Sequence, residues 1–521
     1  MFSNMARQFM TNWSVNMLLR KNGRYLILSS LFSTIFLSPL TTAVASNNQY
    51  DWGEGLINFS DSTLLNNQQG EHNHWRAIAR VSVSGGMTCT GTFIDTGSDN
   101  GPAYVLTNGH CTGVWNENEF QVNKKASGSV TFNYFIDTKE QQQAYSAKTI
   151  KWVTMRGHDL AVIELNATVG ELKQAGITPM KLATKVLPEN NDILIIGAPT
   201  DGVPYDQSYM RIAACIQEST HNVIEAHWNW FSAQRNKCHD IKGGSSGSPI
   251  INRYTNEVVG VLNTTTAGSS DYAVCFNGAP CELTENGVEK QKDSNYAFPV
   301  TQLSACFVNG IFDLNASSCT LDKGNGVTLD YQYGDAKSEV DDQGIAHYPN
   351  WEASVKGHDY YRYKVTSSHA ACQDIYNYSG VVATELQPVI QDTLGTQEGY
   401  RFLCVIGGNT PEYSEHWQSP QHATIAHKKL DSTPPTVKPP LHIESGEDSV
   451  FAQLGYLPPE ISLFKVKQGQ PDKTDCNNME GYRIPFWTNF FFKREELPQV
   501  LCVIAADQAG NESAPWKFDI K

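Results

Sequence analysis

From Arg76 to about Asp322 the chain reads as short apolar or β-branched runs broken by Gly, Asn, Asp and Pro. Arg80-Val81-Ser82-Val83, Ala103-Tyr104-Val105-Leu106-Thr107 and Val259-Gly260-Val261-Leu262 are such runs. The pattern predicts the short strands of an all-β barrel or sandwich. No long segment carries the 3.6-residue period of a parallel α/β protein. Past Gly326 a weak duplication begins. Tyr363-Lys364-Val365, Cys372 and Leu403-Cys404-Val405-Ile406 are echoed by Phe464-Lys465-Val466, Cys476 and Leu501-Cys502-Val503-Ile504. Two units of about 90–110 residues are expected, each a small β-sandwich. Between them Thr433-Pro434-Pro435 and Lys438-Pro439-Pro440 form an extended linker, because proline fixes φ and withholds a backbone donor.

The N-terminal pattern differs. Lys21 and Arg24 precede an apolar run from Tyr25 to Leu40, and Ala43-Val44-Ala45 supplies small residues for cleavage, so residues 1–45 read as an export signal. A second start at Met17 gives a shorter basic leader. The run is too short, and too interrupted by Ser and Pro39, for a membrane anchor. No later stretch is apolar enough to span a bilayer. Residues 46–75 are polar and Asn/Gln-rich, the composition of an arm or a pro-segment. The expected organisation is a leader (1–45), this arm (46–75), a first globular domain (76–322), and two β-sandwich modules (323–432 and 433–521).

Composition adds two exclusions. Hydrophobic residues at 40% and charged residues at 18% suit buried cores rather than disorder. With 39 basic against 54 acidic side chains the net charge is −15, so nucleic acid and anionic lipid are poor partners. The 12 cysteines all follow the leader, and in an exported chain they read as disulfides. Connectivity is not fixed by sequence. Taking neighbours in order gives Cys89–Cys111, Cys215–Cys238, Cys275–Cys281, Cys306–Cys319, Cys372–Cys404 and Cys476–Cys502, each pair within one expected domain. Zinc is the rival use, but no C-x₂-C pair occurs, and His72 and His74 sit in the polar arm. No cofactor and no metal is expected.

Three segments carry candidate chemistry. Leu106-Thr107-Asn108-Gly109-His110-Cys111 is a strand-like run ending in His, whose loop a disulfide would hold rigid, as a general base requires. His158-Asp159-Leu160-Ala161-Val162-Ile163 opens a very apolar strand with a carboxylate. Taken alone, Asp159 is equally a strand-end cap, yet the mouth of an apolar strand is also where a buried acid can orient an imidazole. Asp137, beside Thr138-Lys139-Glu140, looks more like a turn residue. In Gly243-Gly244-Ser245-Ser246-Gly247-Ser248-Pro249, glycines permit a sharp turn. There the N–H groups of Gly244 and Ser246 can converge on an oxyanion while Ser246 presents its hydroxyl.

Gly243-x-Ser245-x-Gly247 also matches the nucleophile elbow of α/β-hydrolases, but that motif needs a following helix. Here Ile250-Ile251-Asn252 and Glu257-Val258-Val259-Gly260-Val261-Leu262 read as hairpin arms around Tyr254-Thr255-Asn256. Instead, Cys89-Thr90-Gly91-Thr92-Phe93-Ile94, Thr107-Asn108-Gly109-His110-Cys111, Asp159-Leu160-Ala161-Val162 and Gly244-Ser245-Ser246-Gly247-Ser248-Pro249 resemble, in order, the signature blocks of trypsin/chymotrypsin-like serine peptidases. The resemblance covers about residues 76–322. It implies a double six-stranded β-barrel, with His110 and Asp159 on the first barrel and Ser246 on the second. It also implies a His110, Asp159, Ser246 triad with Gly244 and Ser246 as oxyanion donors, and protein or peptide substrates.

The resemblance has limits. Animal trypsins carry an Asp before the nucleophile that pairs with a freed N-terminus, and this chain has Ser245. The Ser-Gly-Ser-Pro ending looks like the bacterial branch that includes glutamyl endopeptidases, but Leu262 stands where glutamate-specific members carry a pocket His. Asp240, six residues before Ser246, stands where trypsins bind a basic side chain, although Cys238 is displaced from the trypsin pattern. Leu262, Asn263, Thr264 and Thr265 are the remaining candidates for the substrate pocket. Asp507-Gln508-Ala509-Gly510-Asn511 resembles the strand-end turn of bacterial immunoglobulin-like and fibronectin-III-like modules; the C-terminal units are open to binding a surface or polymer, positioning substrate or stabilising the exported chain. The expectation is a secreted serine endopeptidase. The alternatives are a catalytically inactive peptidase-like binding or adhesion protein, and an esterase using the same triad.

Overall fold

The computed structural model describes residues 50–457 and 460–521. The leader expected over 1–45 lies outside the described residues. Among the described residues no helix is long and apolar enough to cross a membrane.

The fold is all-β. Six strands close a first barrel: β1 (Ile78–Val83), β2 (Cys89–Phe93), β3 (Pro102–Thr107), β4 (Gly128–Phe132), β5 (Gln143–Thr154) and β6 (Leu160–Thr168). Their hydrogen-bonded order is β5-β4-β1-β2-β3-β6, and a β5–β6 pairing completes the ring. A second six-strand ring follows: β7 (Asp192–Gly197), β8 (Arg211–Glu225), β9 (Trp228–Asn236), β10 (Pro249–Asn252), β11 (Val258–Thr265) and β12 (Asn295–Pro299). It runs β9-β12-β11-β10-β7-β8 and closes through β8–β9. Closure leaves neither ring a free edge.

The apolar runs explain the packing. Side chains alternate faces along a strand, so a continuous run such as Ile193-Leu194-Ile195-Ile196 must be buried on both sides. Ile193 and Ile195 join a cluster with Ala213, Cys215 and Ile250. Leu194 and Ile196 join the larger core that runs through the first barrel. The connection between barrels carries the helix Val169–Gln174, started by a capping box in which Thr168 and Glu171 satisfy each other's backbone donors. The expected hairpin is present: β10 and β11 pair antiparallel around a turn where Asn256 takes φ 57°.

The polar arm is part of this fold. Thr63–Leu64 pairs antiparallel with Arg211–Ile212, and Arg253 donates from Nε and Nη2 to the two carboxylate oxygens of Asp51 at 2.7 and 2.9 Å. All six disulfides join the cysteines in sequence order.

Beyond the barrels, a three-stranded and a four-stranded sheet lie between Thr328 and Leu430, and two three-stranded sheets lie between Leu441 and Ile520. The duplicated motifs are equivalent in place. Tyr360–Thr366 pairs with Gly399–Gly408, as Leu463–Gly469 pairs with Gln499–Ala506.

Candidate active site

His110 follows β3 and opens a single turn, His110–Thr112, ended by Gly113 in the left-handed region at φ 79°. The Cys89–Cys111 bond ties that turn to β2. Asp159 immediately precedes β6, and β3 pairs directly with β6, Thr107 facing Ala161. Strand pairing therefore delivers the imidazole to the carboxylate. Nδ1 of His110 lies 2.5 Å from Oδ2 of Asp159, and the His110 backbone N–H donates to Oδ1 at 3.1 Å. Asn108 donates from Nδ2 to the Asp159 carbonyl at 2.8 Å, so the residue is held at both ends. Asp159 is 1% exposed. Burial pulls the His110 pKa down, but the charge of Asp159 and its hydrogen bond outweigh this and hold it above the ordinary value.

Ser246 sits on the tight turn between Cys238 and β10, with Gly244 at φ 90° and Gly247 at φ 82°. A side chain at Gly247 would collide with the Thr90 carbonyl, so glycine lets this turn press against the first barrel. Thr90 clamps the turn. Its N–H donates to the Ser246 carbonyl at 2.8 Å, and its hydroxyl donates to the Gly244 carbonyl at 3.0 Å while accepting from the Ala198 N–H at 3.0 Å. The Gly243 carbonyl accepts from the Thr200 N–H at 2.7 Å. Among the described residues, the N–H groups of Gly244 and Ser246 donate to no protein acceptor.

His110, Asp159 and Ser246 line one cavity of about 190 Å³. The Ser246 hydroxyl donates to the Asn263 carbonyl at 3.3 Å, and no hydrogen bond joins it to His110 among the described residues. Cys89, His110 and Cys111 also cluster, but both sulfurs are consumed by their disulfide, which leaves no metal-binding set.

Leu262, Asn263, Thr264 and Thr265 line the same cavity. Asp240 does not. It takes φ 58° and accepts from the backbone N–H and hydroxyl of Ser62 at 2.9 and 3.2 Å, beside a separate small cleft. Sequence reasoning overlooked Glu225, which ends β8, is 4% exposed and lines the cavity with Trp228 and Trp230. Gly278 donates its N–H to Oε1 of Glu225 at 2.7 Å, and burial pushes the carboxyl up to about 7. The signal was available: Val223-Ile224-Glu225-Ala226 is an acid set into an apolar run, as Asp159 is.

Residues 89–261 match the family described as Trypsin-like peptidase domain. With the two closed barrels, the match defines the class: the chain carries a trypsin-like peptidase domain within a longer all-β molecule. A search of curated proteins gives no match. Solved structures similar to the chain include a Glu endopeptidase in complex with MPD, at 19% identity and TM-score 0.32, covering 49% of this chain and 98% of that one. A thermostable serine protease AL20 from an extremophilic microorganism is similar at 18% identity and TM-score 0.29, over 44% of this chain and 92% of that one. The protease Anisep from Arthrobacter nicotinovorans is similar at 16% identity and TM-score 0.28, over 43% and 87%.

Proposed function

We propose that the chain is a secreted serine endopeptidase acting through His110, Asp159 and Ser246. The observation that carries this reading is the buried 2.5 Å contact of His110 with Asp159 in a cavity that Ser246 also lines. Asp159 fixes the imidazole tautomer with the proton on Nδ1, which leaves Nε2 as the base. On substrate binding, the Ser246 hydroxyl turns from the Asn263 carbonyl toward Nε2. Nε2 takes the hydroxyl proton as Oγ attacks the scissile carbonyl, and the N–H groups of Gly244 and Ser246 receive the oxyanion. His110 then protonates the leaving amine, and water repeats the cycle on the acyl-enzyme. Each oxyanion donor contributes roughly 3–4 kcal/mol in the transition state.

Secretion rests on the leader-like sequence of residues 1–45 and on six disulfides, which persist in oxidising compartments. The domain limits are taken as 76–322 for the peptidase, with immunoglobulin-like or fibronectin-III-like modules over 323–432 and 433–521.

One observation favours the second reading, an inactive binding protein: the Ser246 hydroxyl faces Asn263 rather than His110. A fluorophosphonate probe separates the two. The endopeptidase reading expects the wild type to be labelled and Ser246→Ala not to be; a folded wild type that resists labelling favours the binding protein.

A further inference from the structure

Residues 50–75 line no part of the cavity that His110 and Ser246 share. The arm instead grips the chain on both sides of the Ser246 turn, from outside that cavity. Asp240 lies six residues before Ser246, and its Oδ2 accepts from the N–H and the hydroxyl of Ser62 at 2.9 and 3.2 Å. The Ser62 hydroxyl in turn accepts from Nε of Arg211, on β8, at 3.0 Å. Arg253 lies seven residues after Ser246 and is 8% exposed. Besides its pair with Asp51, it donates to the carbonyls of Gly53 and Leu56 at 2.8 and 3.0 Å and to Oδ1 of Asn58 at 3.2 Å. Among the described residues, every side-chain hydrogen bond of Arg253 goes to the arm.

These contacts bear on the turn itself. Asp240 holds φ 58°, a left-handed conformation that a residue other than glycine keeps only when its surroundings fix it, and Ser62 fixes its carboxylate. Gly243 and Gly244 carry no side chains to lock the turn from within, so its shape depends on what holds its flanks. The arm also reaches the first barrel. The backbone N–H groups of Asn67 and Gln68 donate to the two carboxylate oxygens of Asp137 at 2.7 and 2.9 Å, which gives that turn residue a partner. His110 and Asp159 stand on the first barrel and Ser246 on the second, and a misplacement of about 1 Å between reacting groups costs on the order of a hundredfold in rate.

We propose that the arm is no removable pro-segment: residues from Asp51 onward stay part of the chain in the active protein, and Ser62 acts through Asp240 as a positioning residue for the Ser246 turn. The proposal rests on the endopeptidase reading and adds what keeps its nucleophile in place.

Two measurements test it. The first is intact mass and N-terminal sequencing, under denaturing conditions, of the protein fraction that a fluorophosphonate labels on Ser246; that fraction should begin at or before Asp51. The second compares two variants. Asp240→Gly removes the acceptor for Ser62 while tolerating the positive φ, so kcat on a peptide amide should fall at least about tenfold with KM within about twofold, and phosphonylation of Ser246 should slow in proportion. Asp240→Asn keeps an acceptor and tolerates the same φ, so it should restore kcat to within about threefold of wild type. Labelled protein that begins beyond Asp51, or a folded Asp240→Gly that turns over like wild type, overturns the proposal and leaves the endopeptidase reading intact. If Asp240→Gly does not fold, the N-terminus of the labelled fraction still decides. Wild type that keeps the arm yet is never labelled overturns the reading on which the proposal rests.

Discussion

At the scale of single residues, the proposed chemistry turns on the His110–Asp159 pair. Asp159→Asn removes the charge that holds the imidazole pKa up and presents the wrong tautomer to Ser246. The expected loss in kcat is about four orders of magnitude, measured with a peptide amide near neutral pH. The sign of the pH effect follows from the raised His110 pKa: the base is protonated and inactive in acid, and activity rises as pH passes that pKa.

Legibility at this scale was uneven, for a physical reason. Asp159 is readable because an acid opening an apolar run signals a buried carboxylate with a nearby partner. Glu225 gives the same local signal, but Gly278, which donates its N–H to Oε1, lies 53 residues on, behind a chain reversal that the strand pattern does not encode. Asp240 is misleading for the opposite reason. Counting back from Ser246 puts it beside a trypsin-like pocket, while its positive φ and Ser62, 178 residues earlier, turn it to another surface.

At the scale of elements, the turn that carries Ser246 belongs to the second barrel but is clamped by the first. The Thr90 hydroxyl bridges the Gly244 carbonyl and the Ala198 N–H. Thr90→Val keeps the volume and removes the bridge, leaving two buried backbone groups without a partner. The expected cost is roughly 1–3 kcal/mol of stability, seen as a lower Tm, with a fall in kcat because the oxyanion donors sit on the same turn. A Tm and kcat equal to wild type would show that the clamp is dispensable. The strands themselves were legible, since period-two burial and turn residues specify them. Closure into two rings was legible only through the family resemblance, because the strand pattern does not encode long-range pairings such as β5 with β6 and β8 with β9. The arm was legible only as polar sequence. Its anchors, Arg253 to Asp51 and Arg211–Ile212 to Thr63–Leu64, lie far along the chain.

At the scale of the whole molecule, the segment after the barrels does not pack alone. Ile224 and Phe231 of β8 and β9 share one core with Cys372, Phe402 and Ile406. His369 stacks on Phe231 at 4.0 Å and contacts Asn229 Oδ1 at 3.0 Å, while His427 Nε2 lies 3.0 Å from the Ala226 carbonyl. These contacts hold the hairpin that carries Glu225, Trp228 and Trp230 into the cavity that His110 and Ser246 line. Burial pushes His369 down to about 3 and His427 down to about 4. Both are buried neutral, so the stability they allow is present above the unfolded value near 6.5 and is lost as pH falls from there toward 4. The Tm should therefore drop between pH 7 and 4.5, and His369→Phe should flatten the drop. An unchanged pH slope in that variant contradicts the assignment. The two-unit repeat was visible in sequence, but the shared core was not, because the residues that form it look like ordinary strand interiors on both sides.

In the proposed mechanism Ser246 becomes covalently acylated, with His110 as its base. The direct measurement is rapid mixing with an activated amino-acid ester, followed by intact mass and peptide mapping. The expected result is a burst of leaving group equal to the enzyme concentration, with the acyl group on Ser246, and no burst in Ser246→Ala or His110→Ala. Turnover without a burst, unchanged in Ser246→Ala, would contradict it.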